Sequence, residues 1–548
     1  VSVRREVPWP ADAAALARAI AAQTAASRAA PSGTMGPDAT GAGAAGAGAA
    51  GGGSGTGGTD EDWSGAWCWL DDWGGRSVLG LASELRVAER GREREFLAEL
   101  RDAGVVSERI ATGGRSGDGV STGATPTDGV FAEEGAPQGW VVALGYEFGQ
   151  ALLGIDAAPD DAEPAIALRL DTALVLDHVR GVAELRGPDE AALDAWVARF
   201  ERQAGESARD DSAPAGSVPS RAVSAEIAVR ADGNGVIDQP ELQSQPELRT
   251  RPDGGGALRG GGARGPWRKT PAAYEAEVEA CRAAIRDGEA YVLCLTDTAE
   301  VSAPNVDPLT LYLELREGAR GRPARGGVIV AGGRALVSAS PERFLSIDGR
   351  RIATHPIKGT RPRGATPEED ARLAQELRTD PKERAENLMI VDLMRNDLSR
   401  VCAPGTVATS GFLRVETHPH VHQLVSTVEG ELLPSADAID AIEACFPGGS
   451  MTGAPKRRAV EILRDLERGP RGLYSGCFGW LGVEAGRITE AELAMTIRSV
   501  EFRGIGTLAA TARVGAGGGI TIDSEPGREE AEKRLKAAPL LLRLRDRR

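Results

Sequence analysis

Residues 338–363 read SASPERFLSIDGRRIATHPIKGTRPR, and this stretch carries most of what the sequence says about the fold. Glu342 to Ile347 and Arg351 to Ile357 have the composition and alternation of short strands, and Asp348-Gly349 between them is a dipeptide that closes a tight antiparallel hairpin. Glu342 and Lys358 then lie together at its open end. A carboxyl and an amine brought together can serve as acid and nucleophile once burial moves their pKa values toward neutrality. The pattern alone favours the plainer reading of a surface ion pair, so both remain open at this point.

Further along, Pro381 to Val401 reads as an amphipathic helix with an apolar stripe of Leu388, Val391, Met394, Leu398 and Val401. Glu383 and Glu386 fall one turn apart near its start, where the helix dipole alone would account for carboxylates. Gly448 to Lys456 follows one helical pattern and opens another, and exposed amides there suit an anion. Glu492 to Val500 alternates as a strand, with Arg498 at its end suited to a bidentate bond to a carboxylate and Tyr474 available to assist. Val514 to Gly519, read as a glycine loop after a strand, lets backbone approach a ligand closely. Within Glu525 to Lys536, Glu529, Glu532 and Lys536 share one helical face. Two such carboxylates suit Mg²⁺, although a solvated, salt-bridged helix is the commoner meaning of that pattern.

Upstream the character changes. Of 548 residues 71 are Gly and only 4% are aromatic, and the glycine is concentrated in tracts, which marks unpacked segments rather than a uniformly glycine-rich fold. The expected organisation is a largely disordered Ala/Gly-rich segment at 1–60, an N-terminal part of the fold at 61–202 with a flexible insertion near 111–138, a disordered insertion or linker at 203–266, and a catalytic domain at 267–548. Trp67 to Gly80 and Gly139 to Tyr146 read as strands, Asp189 to Gln203 and Pro271 to Asp287 as helices, and Ala290 to Thr296 as a strand. Asp232 to Glu241 resembles an EF-hand loop, but Arg230 takes the first ligand position and Pro240 opposes the exit helix, so calcium binding is not expected.

A net charge of −16 argues against a nucleic-acid groove. The six cysteines form no CxxC pair, which suits a reducing, cytoplasmic setting. No segment approaches the ~18 uninterrupted apolar residues of a membrane span.

Four segments together resemble the chorismate-utilising enzymes, a family that includes anthranilate, aminodeoxychorismate, isochorismate and salicylate synthases. They are Pro356 to Arg363, Arg384 to Asp397, Phe446 to Lys456, and Asp523-Ser524 followed by Glu529 and Glu532. The resemblance runs from about Arg268 onward, with weaker matches at Trp67 to Gly80 and Gly139 to Glu147. It implies an α+β fold like that of anthranilate synthase component I: two large, mostly antiparallel sheets face each other, helices lie outside, and the site lies between the sheets.

Lysine at the position of Lys358 marks the members that aminate chorismate at C4, whereas anthranilate-forming members carry alanine there. By this resemblance Lys358 attacks C2 of Mg²⁺-bound chorismate, Glu342 protonates the departing 4-hydroxyl, and ammonia then adds at C4. Burial near a cation would lower the pKa of the lysine, as attack requires. The resemblance assigns Glu386, Glu529 and Glu532 to Mg²⁺ with Glu383 in support, and Arg498, Tyr474, Ser450, Gly515, Gly517, Lys536 and Gln423 to the substrate. Gln423 stands where many relatives have histidine. Val292 stands where water-adding relatives have a lysine base, which disfavours water addition. Trp69 to Asp72 replaces the Leu-Leu-Glu-Ser segment of tryptophan-inhibited relatives, so such inhibition is not expected. No glutaminase segment is visible, so ammonia is expected from solution or, in preference, from a separate glutamine amidotransferase subunit, with the product serving 4-aminobenzoate and folate synthesis. The alternatives are anthranilate formation and a non-catalytic chorismate-binding scaffold.

Overall fold

The computed structural model of the chain describes residues 3–7, 13–29, 65–73, 75–106, 139–198, 266–318, 325–418, 421–484 and 487–545. The insertions expected near 111–138 and 203–266, and the EF-hand-like segment, lie outside the described residues.

Two antiparallel sheets organise these residues. The first has eleven strands in the order Val3–Val7, Val182–Gly187, Ala173–Asp177, Arg76–Leu81, Trp67–Trp73, Arg325–Ala331, Arg334–Ser340, Ser499–Arg503, Thr511–Ile520, Val292–Ser302 and Gly453–Ala454. The second runs Ile357–Pro362, Val421–Glu431, Arg351–His355, Arg343–Asp348, Arg487–Met495, Cys477–Glu484, Gly139–Leu144, Ala165–Leu170 and Glu84–Val87, with Ala408–Thr417 also paired to Val421–Glu431. The expected hairpin is present, with Ser346 opposite Ala353 and Asp348 opposite Arg351.

Alternation along the strands builds a layered core. Trp67, Trp69, Leu79 and Leu81 face helices Ala13–Ala29 and Pro308–Gly318, while Cys68, Leu70 and Val78 face the second sheet. In the second sheet Val141 and Ala143 point back at the first, and Trp140, Val142 and Leu144 point to helices Glu93–Val106 and Tyr146–Leu152. Trp73 sits between the sheets, edge-on to Phe478 at 5.3 Å, and its indole N–H donates to the Gly326 carbonyl at 2.8 Å. Trp73→Ala should therefore cost about 3–5 kcal/mol in urea unfolding, since it removes a large inter-sheet side chain and leaves a cavity.

Three expectations are corrected. Within 1–60, Val3–Val7 pairs with Val182–Gly187, and Ala13–Ala29 is a helix with Ala17 and Ile20 fully buried, so part of this segment is folded. Its small side chains let the helix lie close to the first sheet. The 61–202 and 267–548 parts are not separate domains, since both sheets take strands from each and the described residues before and after the insertion fall in one compact unit. Glu492 to Val500 is not one strand: Arg487–Met495 belongs to the second sheet and Ser499–Arg503 to the first. The crossing is made at Arg498, whose φ of 52° ends the extended run. Among the described residues no helix is long and apolar enough to cross a membrane.

Candidate active site

Both sheets contribute to one cleft of about 690 Å³, and the twelve residues singled out from the sequence all line it. From the second sheet come Lys358, on strand Ile357–Pro362, and Gln423, on strand Val421–Glu431. The pairing of these two strands is irregular between Ile357 and Thr360, and Gly359 there has φ 86°. A Cβ at Gly359 would also meet Leu377 at 2.8 Å and Glu383 at 3.0 Å, so glycine lets the lysine strand pass close under the helices.

From the first sheet come Gly515 to Gly519. They lie inside strand Thr511–Ile520, paired along their length with Val292–Ser302, and do not form the loop that the sequence suggests. The glycines are required by what crosses them. A Cβ at Gly515 would fall 2.1 Å from the Tyr474 ring, and one at Gly517 would fall 2.0 Å from the Leu295 carbonyl. A Cβ at Gly518 would lie 3.2 Å from Glu529 and 3.8 Å from Glu532, and one at Gly519 would lie 3.4 Å from Glu386. The bare strand thus forms a floor beneath three carboxylates.

Glu386 comes from helix Pro381–Ser399, and Glu529, Glu532 and Lys536 come from helix Pro526–Arg545. Lys536 Nζ pairs with Glu532 at 2.6 Å and donates to the Gly517 carbonyl at 2.9 Å. Glu383 lines the cleft, and its carboxylate is 3.5 Å from Arg361. Ser450 lies in a buried turn, Gly449–Met451, so the segment expected to expose its amides is packed instead. The Ser450 carbonyl accepts from Lys358 Nζ at 3.4 Å. The Arg498 guanidinium donates to the Lys536 carbonyl at 2.8 Å beside Tyr474. Val292 is buried, its side chain 3.5 Å from where a Gly519 Cβ would be.

The electrostatics follow from this crowding. Burial pushes the Glu342 carboxyl up, against the hydrogen bond with Ser450 and the charge of Lys358, which fits a group that holds a proton. Glu386 is likewise raised by burial, and Glu383 and Glu529 add to the push while Lys358 and Lys382 oppose it. Burial also raises Tyr474. Against burial, Lys536, Lys382 and Lys358 keep Glu532 low. Lys358 departs from expectation. Burial lowers its pKa, but Glu386, Cys294, Glu342 and Glu383 outweigh that, and the net direction is upward. The acidic neighbours thus favour the charged form of the amine.

Among the described residues no three Asp, Glu, His or Cys side chains converge into a ready-made metal cage. The donors present are carboxylate oxygens spread over two helices. They fit a hard cation that takes few protein ligands and completes its shell with water and substrate, as Mg²⁺ does.

Two features were not read from the sequence. Lys382, one turn before Glu386, reaches between Glu386 and Glu529. Behind the cleft, the buried Arg471 binds Glu467 at 2.7 and 2.8 Å and donates to the carbonyls of Met451 at 2.8 Å and Cys294 at 2.9 Å, both cleft residues. Glu467 in turn accepts the Thr296 N–H and hydroxyl at 2.9 Å. The only sequence signal was a Glu and an Arg four residues apart. Arg471→Met should cost about 3–5 kcal/mol in urea unfolding because it strands Glu467, and Glu467→Leu in the same chain should recover part of that loss.

A cleft with a buried acid, a half-buried amine and an Arg-Tyr pair over a glycine floor is built for a small anionic substrate. The sequence profile of the chorismate binding enzyme family matches residues 124–542, and the chain belongs to that family. Aminodeoxychorismate synthase of Streptomyces griseus is 40% identical over 410 residues, covering 74% of this chain and 49% of that protein. The enzyme of the same name from Streptomyces pristinaespiralis is 45% identical over 273 residues, 50% of this chain and 36% of that one. Anthranilate synthase component 1 of Halobacterium salinarum is 43% identical over 268 residues, 48% of this chain and 49% of that one. The chain therefore spans about half or less of the length of these relatives.

Among solved structures, anthranilate synthase component I of Streptococcus pneumoniae matches with a TM-score of 0.57 and 23% identity, over 86% of this chain and 89% of that one. The menaquinone-specific isochorismate synthase of Escherichia coli matches with a TM-score of 0.55 and 16% identity, over 87% and 88%. These likenesses establish the shared α+β fold.

Proposed function

We propose that the chain converts chorismate and ammonia into 4-amino-4-deoxychorismate. The observation that carries this reading is the presence of the half-buried Lys358 amine and the buried Glu342 carboxyl in one cleft. In its neutral form Lys358 attacks C2, the ring double bonds shift, and the C4–O bond breaks as Glu342 gives its proton to the departing hydroxyl, which leaves as water. Ammonia then adds at C4, the double bonds shift back, and the C2–N bond breaks to release the lysine amine. The sum is chorismate plus ammonia giving aminodeoxychorismate plus water. Arg498 and Tyr474 hold a substrate carboxylate, and Ser450, Gln423, Lys536, Gly515 and Gly517 shape its seat. Mg²⁺ held by Glu386, Glu529 and Glu532 would neutralise substrate carboxylate charge and offset the carboxylates that keep Lys358 protonated.

Two of the relatives named above are called aminodeoxychorismate synthases, which supports the reading. Ammonia would come from glutamine through an amidotransferase, and the product would enter 4-aminobenzoate and folate synthesis in the cytoplasm. The likeness to an anthranilate synthase makes C2 amination the second reading.

The test is incubation with chorismate, Mg²⁺ and ammonium, with product identification by mass. A C4-aminated product that keeps its enolpyruvyl group is expected. Anthranilate with released pyruvate would replace this reading with the second one, and an absence of turnover would leave a chorismate-binding scaffold.

A further inference from the structure

Lys382 lies in the first turn of helix Pro381–Ser399, its backbone N–H held by Asp380 at 2.9 Å. A cation is disfavoured there by the helix dipole, and a lysine four residues before a glutamate is the weaker orientation of that pair. Local helix physics therefore gives no reason for a lysine at this position. Its side chain instead joins two helices, with Nζ 4.0 Å from Glu386 Oε1 and 3.6 Å from Glu529 Oε1. The side chains of Glu386 and Glu529 are 10% and 5% exposed, whereas that of Lys382 is 48% exposed, so the ammonium enters from the mouth and can withdraw without unpacking anything. Gly518 and Gly519 keep the floor beneath the two carboxylates free of side chains. The neighbouring lysines are engaged elsewhere, Lys358 with the Ser450 carbonyl and Lys536 with Glu532 and the Gly517 carbonyl.

We propose that Lys382 is a built-in counter-cation, bridging Glu386 and Glu529 in the metal-free protein and displaced when a divalent cation binds them. The inference rests on the assignment of these carboxylates to Mg²⁺ made above. It gives Lys382 two effects: it relieves repulsion between the two buried carboxylates, and it weakens metal binding until substrate adds its own charge to the site.

The experiment titrates Mg²⁺ by calorimetry into the full chain without chorismate and records melting temperature with and without Mg²⁺. The proteins are wild type, Lys382→Met, Lys382→Arg and Arg528→Gln. Arg528 is a control because it adjoins Glu529 in sequence but faces solvent and pairs with Glu525 at 2.9 Å. Lys382→Met should bind Mg²⁺ roughly tenfold more tightly, as expected for removing one competing charge at this range in a well-screened site. It should also melt lower than wild type when metal-free and regain the difference at saturating Mg²⁺. Lys382→Arg should stay close to wild type, and Arg528→Gln should change affinity less than about twofold. Equal Mg²⁺ affinity in wild type and Lys382→Met would overturn the inference alone, as would equal tightening in Arg528→Gln. Absence of saturable Mg²⁺ binding in every protein would overturn the metal assignment together with it.

Discussion

Lys358→Ala is expected to lower C4 amination of chorismate by at least about 10³-fold, with the fold and Mg²⁺ binding retained. The lysine sits half-buried on the edge strand of the second sheet and makes a long hydrogen bond to the Ser450 carbonyl, so few packing contacts are lost. The neighbouring carboxyls keep other partners, Glu342 with Ser450 and Glu386 with Lys382. The variant should thus separate chemistry from folding. Lys358→Arg sharpens the test, because a guanidinium keeps the positive charge but cannot lose a proton to become a nucleophile. Equal loss in the Ala and Arg variants marks the lysine as a nucleophile, whereas near-normal turnover in Lys358→Arg would mark it as a fixed charge. The Ala variant leaves space beside C2, so the residual product should be aminated at C2. The two amines are isomers of equal mass, so proton NMR separates them, with anthranilate and free pyruvate marking onward breakdown of the C2 amine, and full retention of C4 amination by Lys358→Ala would end the covalent mechanism.

How far this chemistry was legible in the sequence depended on whether it was local. The Asp348-Gly349 dipeptide marked a hairpin, although Asp348 pairs with Arg351 and the two residues that close the turn are Gly349 and Arg350. Glu529, Glu532 and Lys536 were legible as one face because helical periodicity is local. Arg498 was misread because a change from one sheet to the other leaves alternation nearly intact and shows only as one left-handed residue. Gly515 to Gly519 looked like a loop because glycine runs usually are, and the need for bare backbone under Tyr474 and the carboxylates arises only when distant segments meet. The upward shift of Lys358 was illegible for the same reason. Burial lowers it, and the opposing charges come from Glu386 and Glu383 on one helix, Cys294 on a strand of the other sheet, and Glu342. Arg471 and Glu467 bind cleft backbone carbonyls and amides through contacts that no spacing rule encodes.

Glu342→Gln is expected to reduce kcat by 10²- to 10⁴-fold, about the range for a general acid, with KM changed far less. Glutamine keeps the size of the side chain and can still hydrogen-bond Ser450, so the seat of the substrate survives while the transferable proton is lost. The protonation states of the pair give a second readout. With Lys358 charged and Glu342 ionised, the pair holds one proton, and reaction needs that same proton on Glu342 with the amine neutral. Burial of Glu342 moves the system in that direction, because it raises the carboxyl above its ordinary range and so favours the uncharged acid. The carboxylates around Lys358 move it the other way. Because the reactive form is one tautomer of the one-proton pair, activity rises through the lower of the pair's two titrations and falls through the higher, where the pair loses its last proton. Wild type should show that falling limb in kcat, and Glu342→Gln should lack it at a uniformly lower rate. A variant that keeps both the limb and most of its rate would place the acid elsewhere.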